Sequence, residues 1–65
     1  MTTPYRGFRI QADKLDNGFT AIALRDKNGN LIKAETVKEI LPEAVFATKC
    51  YIDLLLRPEE SLVIA

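Results

Sequence analysis

Few residues in this 65-residue chain can do chemistry, and histidine is not among them. Histidine is the commonest general base and a frequent metal ligand, so its absence excludes a Cys-His or Ser-His pair within one chain. The single cysteine, Cys50, follows Lys49, a cation that can activate a thiolate. A lone cysteine in a helical pattern is nevertheless more typical of a small apolar residue. We therefore expect no nucleophilic catalysis.

Three carboxylates, Glu35, Glu39 and Glu43, recur at intervals of four residues. Paired carboxylates can do acid-base work, but negative charge near a helix start is also what the helix dipole favours. Asp16 and Asp53 have no evident partner in the sequence. We interpret these carboxylates as structural and predict that the chain is not an enzyme and holds no cofactor.

The segment DKNGN at 26–30 is similar to the start of a calcium-binding loop. That loop places its glycine five residues after the first aspartate, whereas Gly29 follows Asp26 by three. Lys27 and Lys33 would also repel a cation, and a structural zinc site needs about four Cys or His ligands. The segment is therefore predicted to be a turn, and no metal site is expected.

Composition favours a small folded domain. Hydrophobic residues make up 48% of the chain, which is enough for a packed core. A chain of this length buries only about 60% of the surface that its unfolded form exposes, so self-association is a common source of added stability. The sequence contains no apolar run of membrane-spanning length, and its start, MTTPYRGFR, lacks the hydrophobic core of a signal peptide. We expect a cytoplasmic protein that does not enter membranes.

The net charge of zero conceals a division between the two halves of the chain. Residues 1–34 contain six basic and three acidic side chains, whereas residues 35–65 contain three basic and six acidic ones. Such asymmetry marks either a binding face or a sheet and a helix that attract each other.

Hydrophobic alternation predicts a β-meander. The first strand is expected at Tyr5–Leu15 and the second at Phe19–Arg25, joined by the turn Asp16-Asn17-Gly18. A second turn at 27–30 leads to a short third strand, LIKA at 31–34, whose Ile32 and Ala34 are expected to point inward.

The helix is predicted from Pro42 to Leu56. Thr36 and Glu39 fit a capping box, so residues 37–41 form either a separate turn or the start of one longer helix kinked at Pro42. Arg57-Pro58 would end the helix, and SLVIA at 61–65 is typical of a terminal strand.

The prediction is one α+β domain over 1–65: an antiparallel sheet of three or four strands with one helix packed on one face. Its predicted core is Phe8, Ile10, Ile22, Leu24, Ile32, Leu41, Val45, Ile52 and Leu55.

Two surfaces are candidates for binding. The outward face of the sheet combines aromatic, small and cationic residues: Tyr5, Arg9, Gln11, Phe19, Ala21, Ala23, Arg25 and Lys33. Such a face can stack bases and hold phosphates, pack against a second copy, or simply be solvated. On the back of the helix, Phe46, Cys50 and Leu54 form an apolar line at spacings of four, which favours a partner.

The hairpin LDNGFTAIAL and the helix segment PEAVFATKCYIDLL resemble the HicB-like antitoxin domain, a partial double-stranded-RNA-binding-domain fold. Glu43-Ala44 matches the acidic-alanine pair that opens that family's helix. The resemblance covers roughly 50 residues and implies a β-meander followed by a helix. RDKNGN replaces the Pro-Gly-rich segment typical of the antitoxins, and no DNA-binding extension follows.

These observations predict a non-catalytic interaction module that forms a homodimer or binds another protein. The routes to a dimer are helix packing, the sheet face, or strand addition at the free edge of the terminal strand SLVIA. The sheet-face and terminal-strand routes are preferred, because Ala21 and Ala23 make a flat surface while Lys49 and Asp53 flank the helical line with charge. The alternative is an antitoxin-like or nucleic-acid-binding protein that uses the basic and aromatic sheet face.

Overall fold

The computed structural model describes residues 1–57, which form a four-stranded antiparallel sheet and one helix packed against it. The elements are β1 (Thr2–Tyr5), β2 (Phe8–Lys14), β3 (Thr20–Arg25), β4 (Leu31–Val37) and α1 (Leu41–Leu55). Each strand pairs with its neighbour in chain order, as in a meander. The predicted α+β class is therefore confirmed. The predicted terminal strand SLVIA and the residues from Pro58 onward lie outside the described part of the chain.

The first predicted strand is in fact two strands, β1 and β2. Tyr5 pairs with Phe8 across a two-residue turn in which Arg6 has φ 51° and Gly7 has φ 87°. Positive φ at both central residues is the turn geometry that matches the twist of a tight hairpin. The fourth strand thus comes from the N-terminal end of the chain.

The second predicted turn is confirmed between β3 and β4. Gly29 has φ 87°, a region that non-glycine residues enter with strain. The Asp26 carboxylate accepts hydrogen bonds from the N–H groups of Asn28 at 2.8 Å and Asn30 at 2.9 Å. These bonds fold the segment around Asp26 and explain its turn without a metal.

The orientation predicted for β4 is wrong, because the strand contains a bulge. Arg25 pairs with Leu31, yet the preceding residue of β3, Leu24, pairs with Lys33. Ile32 is therefore the extra residue, and every side chain after it changes face. As a result Lys33, not Ile32, lies on the side that carries the helix.

The helix begins at Leu41, one residue before the predicted Pro42, and ends at Leu55. The predicted capping box is wrong, because Thr36 belongs to β4 and the N-cap is Ile40, which makes no side-chain cap. Proline in the first helical turn instead sets the helical start, where a missing N–H costs nothing.

The core lies where α1 crosses β2 and β3. The buried hydrophobic residues are Ile10, Ala12, Ile22, Leu24, Ala44, Val45 and Ile52. Predicted core residues Phe8 and Leu41 are half-buried against them. Buried Thr20 donates its hydroxyl hydrogen bond to the Glu39 carbonyl at 2.8 Å, which fixes the chain just before the helix.

Two residues predicted to lie in the core are instead substantially exposed. Ile32 is 43% exposed because it occupies the bulge on a strand that the helix does not cover. Leu55 is 49% exposed although it continues the buried stripe of the helix.

Candidate interaction surfaces

The sheet face opposite the helix retains five of its eight predicted members: Arg9, Gln11, Ala21, Ala23 and Arg25. Gln11 pairs with Ala23, and Arg9 pairs directly with Arg25. Small residues leave a shallow depression of about 450 Å³ in the middle of this face, lined by Gln11, Asp13, Ala21, Ile22, Ala23, Ala34, Glu35 and Thr36. Of the three other predicted members, Phe19 lies just before β3 and is half-buried.

The predicted outward orientation of Tyr5 and Lys33 is wrong, because both lie on the helix side of the sheet. Tyr5 shares the helix side because the turn at 6–7 pairs it with Phe8. The Lys33 ammonium lies 4.2 Å from the centre of the Tyr51 ring, within the range of a cation–π contact. The outward face of β2 and β3 thus carries Arg9 and Arg25 but lacks the ring of Tyr5.

Asp53 has partners that the sequence did not reveal. Its carboxylate accepts hydrogen bonds from the Arg6 guanidinium at 2.7 Å and from the Tyr5 hydroxyl at 2.9 Å. The Arg6 bond, followed by the Tyr5 bond, holds the pKa of the Asp53 carboxyl below its usual value, while Asp53 raises the pKa of the Tyr5 phenol. This cluster joins the first hairpin to the last turns of α1. The missed turn at Arg6-Gly7 is what brings it together.

The helical line is exposed, as the sequence predicts. Phe46 is 67% and Leu54 is 58% exposed, and Cys50 is exposed between them. Its role in binding stays a prediction. Lys49, which flanks the line, has its ammonium 5.4 Å from the centre of the Tyr5 ring.

A groove that the sequence did not predict separates α1 from β4. It has a volume of about 290 Å³ and is lined by Ile22, Lys33, Glu35, Val37, Glu39, Ala44, Ala47, Thr48, Cys50, Tyr51 and Leu54. The groove exists because α1 packs mainly on β2 and β3 and leaves most of the same face of β4 uncovered. Its floor is apolar. On the β4 side, the Lys33 ammonium lies 3.5 Å from the Glu35 carboxylate. The helix and the edge of the sheet thus form one continuous amphipathic surface.

Within residues 1–57, no three Cys, Asp or Glu side chains are grouped so that they could hold a metal ion. In the same part of the chain, the helix falls short of the length and apolar character needed to cross a membrane.

Comparison with known proteins finds no match among family models, curated proteins or solved structures. The resemblance to HicB-like antitoxins therefore stays a prediction. Function has to be argued from the surfaces of the molecule.

Proposed function

We propose that this chain is a non-catalytic interaction module that associates with itself. The observation that carries the proposal is the amount of large apolar side chain left in solvent. At least 40% of the surface is exposed for each of Met1, Leu31, Ile32, Ile40, Phe46, Leu54, Leu55 and Leu56. Monomeric proteins expose isolated apolar residues, but a concentration of them on a domain this small is typical of a binding surface.

The small core supports the same proposal. Seven buried hydrophobic residues, two of them alanine, hold the described part of the chain together. Association that covers more apolar surface contributes about 25 cal/mol per Å². Because only the folded chain presents that surface, a dimer is more stable than its monomers at high concentration.

The proposal includes a cytoplasmic location. Cys50 is exposed, and the sequence has no second cysteine with which it could form an intramolecular disulfide. Reducing compartments keep such a thiol free, whereas secreted domains of this size usually depend on disulfides.

Sedimentation equilibrium from micromolar to millimolar concentration tests self-association. Cys50→Ser is used as the background so that a disulfide cannot link two chains. We expect a monomer–dimer equilibrium whose dimer fraction rises with concentration. A strictly monomeric chain over the whole range would contradict the proposal. Phe46→Glu, run alongside with Glu43→Gln as an exposed helical control, reports whether the helical line takes part.

Nucleic-acid binding is a second candidate because Arg9 and Arg25 pair directly on the open sheet face. Like charges in such a pair repel, and an anion between them would relieve the repulsion. Binding of this kind weakens steeply with salt. Retention of a labelled single-stranded RNA that falls with salt and is lost in Arg9→Ala would support this candidate. Retention that Arg9→Ala leaves unchanged would remove it.

A further inference from the structure

The two outer edges of the described sheet differ in their free backbone groups. Hydrogen bonding alternates along an antiparallel strand, so one bond fixes the phase of the whole ladder. At the β1 edge, the Ala12 N–H donates to the Met1 carbonyl at 2.8 Å. By alternation Thr3 and Tyr5 bond to β2, and Pro4 faces outward. Proline has no N–H, so the β1 edge lacks a donor where a further strand would need one.

The β4 edge has no such block. The Leu15 N–H donates to the Phe19 carbonyl at 2.8 Å, which sets the phase of the β2–β3 ladder. By alternation Ile22 and Leu24 form their hydrogen bonds with β4, in which Ile22 pairs with Glu35 and Leu24 pairs with Lys33.

The intervening residues of β4 therefore direct their backbone groups away from the sheet. These residues are Ala34 and Thr36, both exposed. Nothing among residues 1–57 pairs with this edge. Ala34 is small enough to let another backbone approach.

We propose that a second copy of this chain adds to the β4 edge in antiparallel orientation, with Ala34 on the two-fold axis. This inference rests on the proposed self-association and specifies its surface and register. The two Ala34 residues exchange their N–H and C=O hydrogen bonds, as in a hydrogen-bonded antiparallel pair. Two four-stranded sheets become one continuous sheet with both helices on the same side.

Charge selects the register. With Ala34 on the axis, Lys33 of each chain faces Glu35 of the other in a non-hydrogen-bonded pair, where side chains are closest. Both side chains lie on the helix side of β4, beside the groove. A register centred on Lys33 places two lysines opposite each other, and one centred on Glu35 places two glutamates opposite each other. Among registers whose paired residues all lie within β4, the Ala34 register alone places opposite charges facing each other on both sides of the axis.

Proline substitution tests which edge is used. Ala34→Pro removes an N–H that pairs with no strand among residues 1–57, and so reproduces on β4 the block that Pro4 provides on β1. We expect this variant to keep the circular dichroism of the parent while its dimer dissociation constant rises by about tenfold or more. Glu35→Pro is the matched control, because it removes an N–H that β3 needs and should unfold the chain.

Exchanging the charges of Lys33 and Glu35 tests the register. If Ala34→Pro does not fold, these charge variants still test whether the β4 edge forms the dimer. Lys33→Glu and Glu35→Lys should each weaken the homodimer by about tenfold, because each places like charges opposite one another twice. An equimolar mixture of the two variants should form heterodimers, and the double variant should dimerise like the parent. Each single variant already lacks its internal Lys33–Glu35 contact, so rescue on mixing reports the contact between chains.

The outcomes separate the two levels of the proposal. A dimeric parent whose Ala34→Pro variant is folded and equally dimeric would overturn the β4 edge and leave self-association intact. Failure of the mixture and of the double variant to recover would overturn the Ala34 register. A monomeric parent, including one whose residues 61–65 occupy the edge, would overturn both.

Discussion

The Tyr5 hydroxyl donates a hydrogen bond to the Asp53 carboxylate at 2.9 Å, joining the first strand to the end of the helix. Arg6, in the turn that follows β1, donates to the same carboxylate at 2.7 Å. Strand β1 lies at the margin of the sheet, and α1 packs mainly on β2 and β3. The contact therefore holds an otherwise peripheral hairpin against the helix.

This cluster predicts an acid-sensitive contribution to stability. Arg6 and Tyr5 lower the pKa of Asp53 from its ordinary value of 3.8, so the folded chain favours the ionised carboxylate. A lowered folded pKa gives stabilisation that is present above about pH 4 and is lost as pH falls through the folded value. Asp53→Asn should be less stable than the parent at pH 7, and the difference should close towards about pH 2.

Thermal unfolding of the parent and Asp53→Asn across this pH range measures the effect. Asp16→Asn, a carboxylate in the turn before β3, is the control. Asp13 and Asp26 also have lowered pKa values and contribute acid sensitivity to all three proteins. A gap between parent and Asp53→Asn that is constant from pH 7 to pH 2 would show that the charge of Asp53 is unimportant.

The corrected core predicts a contrast between residues of similar type. Leu24→Ala and Ile52→Ala remove side chains that are 0% exposed, and each should cost about 2–5 kcal/mol in the free energy of unfolding. Ile32→Ala and Leu55→Ala remove side chains that are roughly half exposed, and each should cost less than about 1 kcal/mol in the monomer. Urea denaturation at low micromolar concentration measures all four. Equal losses would mean that the core is misassigned.

Substitution of Gly29 is expected to lower stability through backbone strain rather than through side-chain packing. A Cβ built on Gly29 meets no heavy atom within 4 Å, so space does not limit this position. Its φ of 87° does limit it, and Gly29→Ala should cost about 1–2 kcal/mol. Gly29→Asn should recover part of this loss, because asparagine tolerates positive φ better. Identical stability of glycine, alanine and asparagine at this position would contradict the turn geometry.

The sequence predicts the meander and the helix because their signals are local. Asn-Gly dipeptides mark both long hairpins, and Pro42 marks the helix start to within one residue. The alternation along β2 and β3 identifies their buried faces correctly, because both strands lie under the helix.

Two irregularities account for most of the errors at the candidate surfaces. The turn at Arg6-Gly7 preserves an apparently continuous alternating pattern, so the pattern predicts the wrong face for Tyr5. The bulge at Ile32 depends on pairing between β3 and β4, and a one-residue shift reverses the whole strand. Without the bulge, Ile32 would face Leu24 and point inward, as predicted. The Asp53 cluster follows from the turn, and the presence of Lys33 and Glu35 in the groove follows from the bulge. The groove itself depends on where the helix crosses the sheet, which a local pattern does not give.

Amide hydrogen exchange at β4 tests the central claim most directly, because neighbouring residues provide the internal control. The N–H groups of Lys33 and Glu35 bond to β3 and should be protected at every concentration at which the chain is folded. Those of Ala34 and Thr36 should exchange freely at micromolar concentration and become at least about tenfold slower at millimolar concentration, as the second copy covers them. Ala34 and Thr36 amides that exchange equally fast at both concentrations would contradict association through the β4 edge.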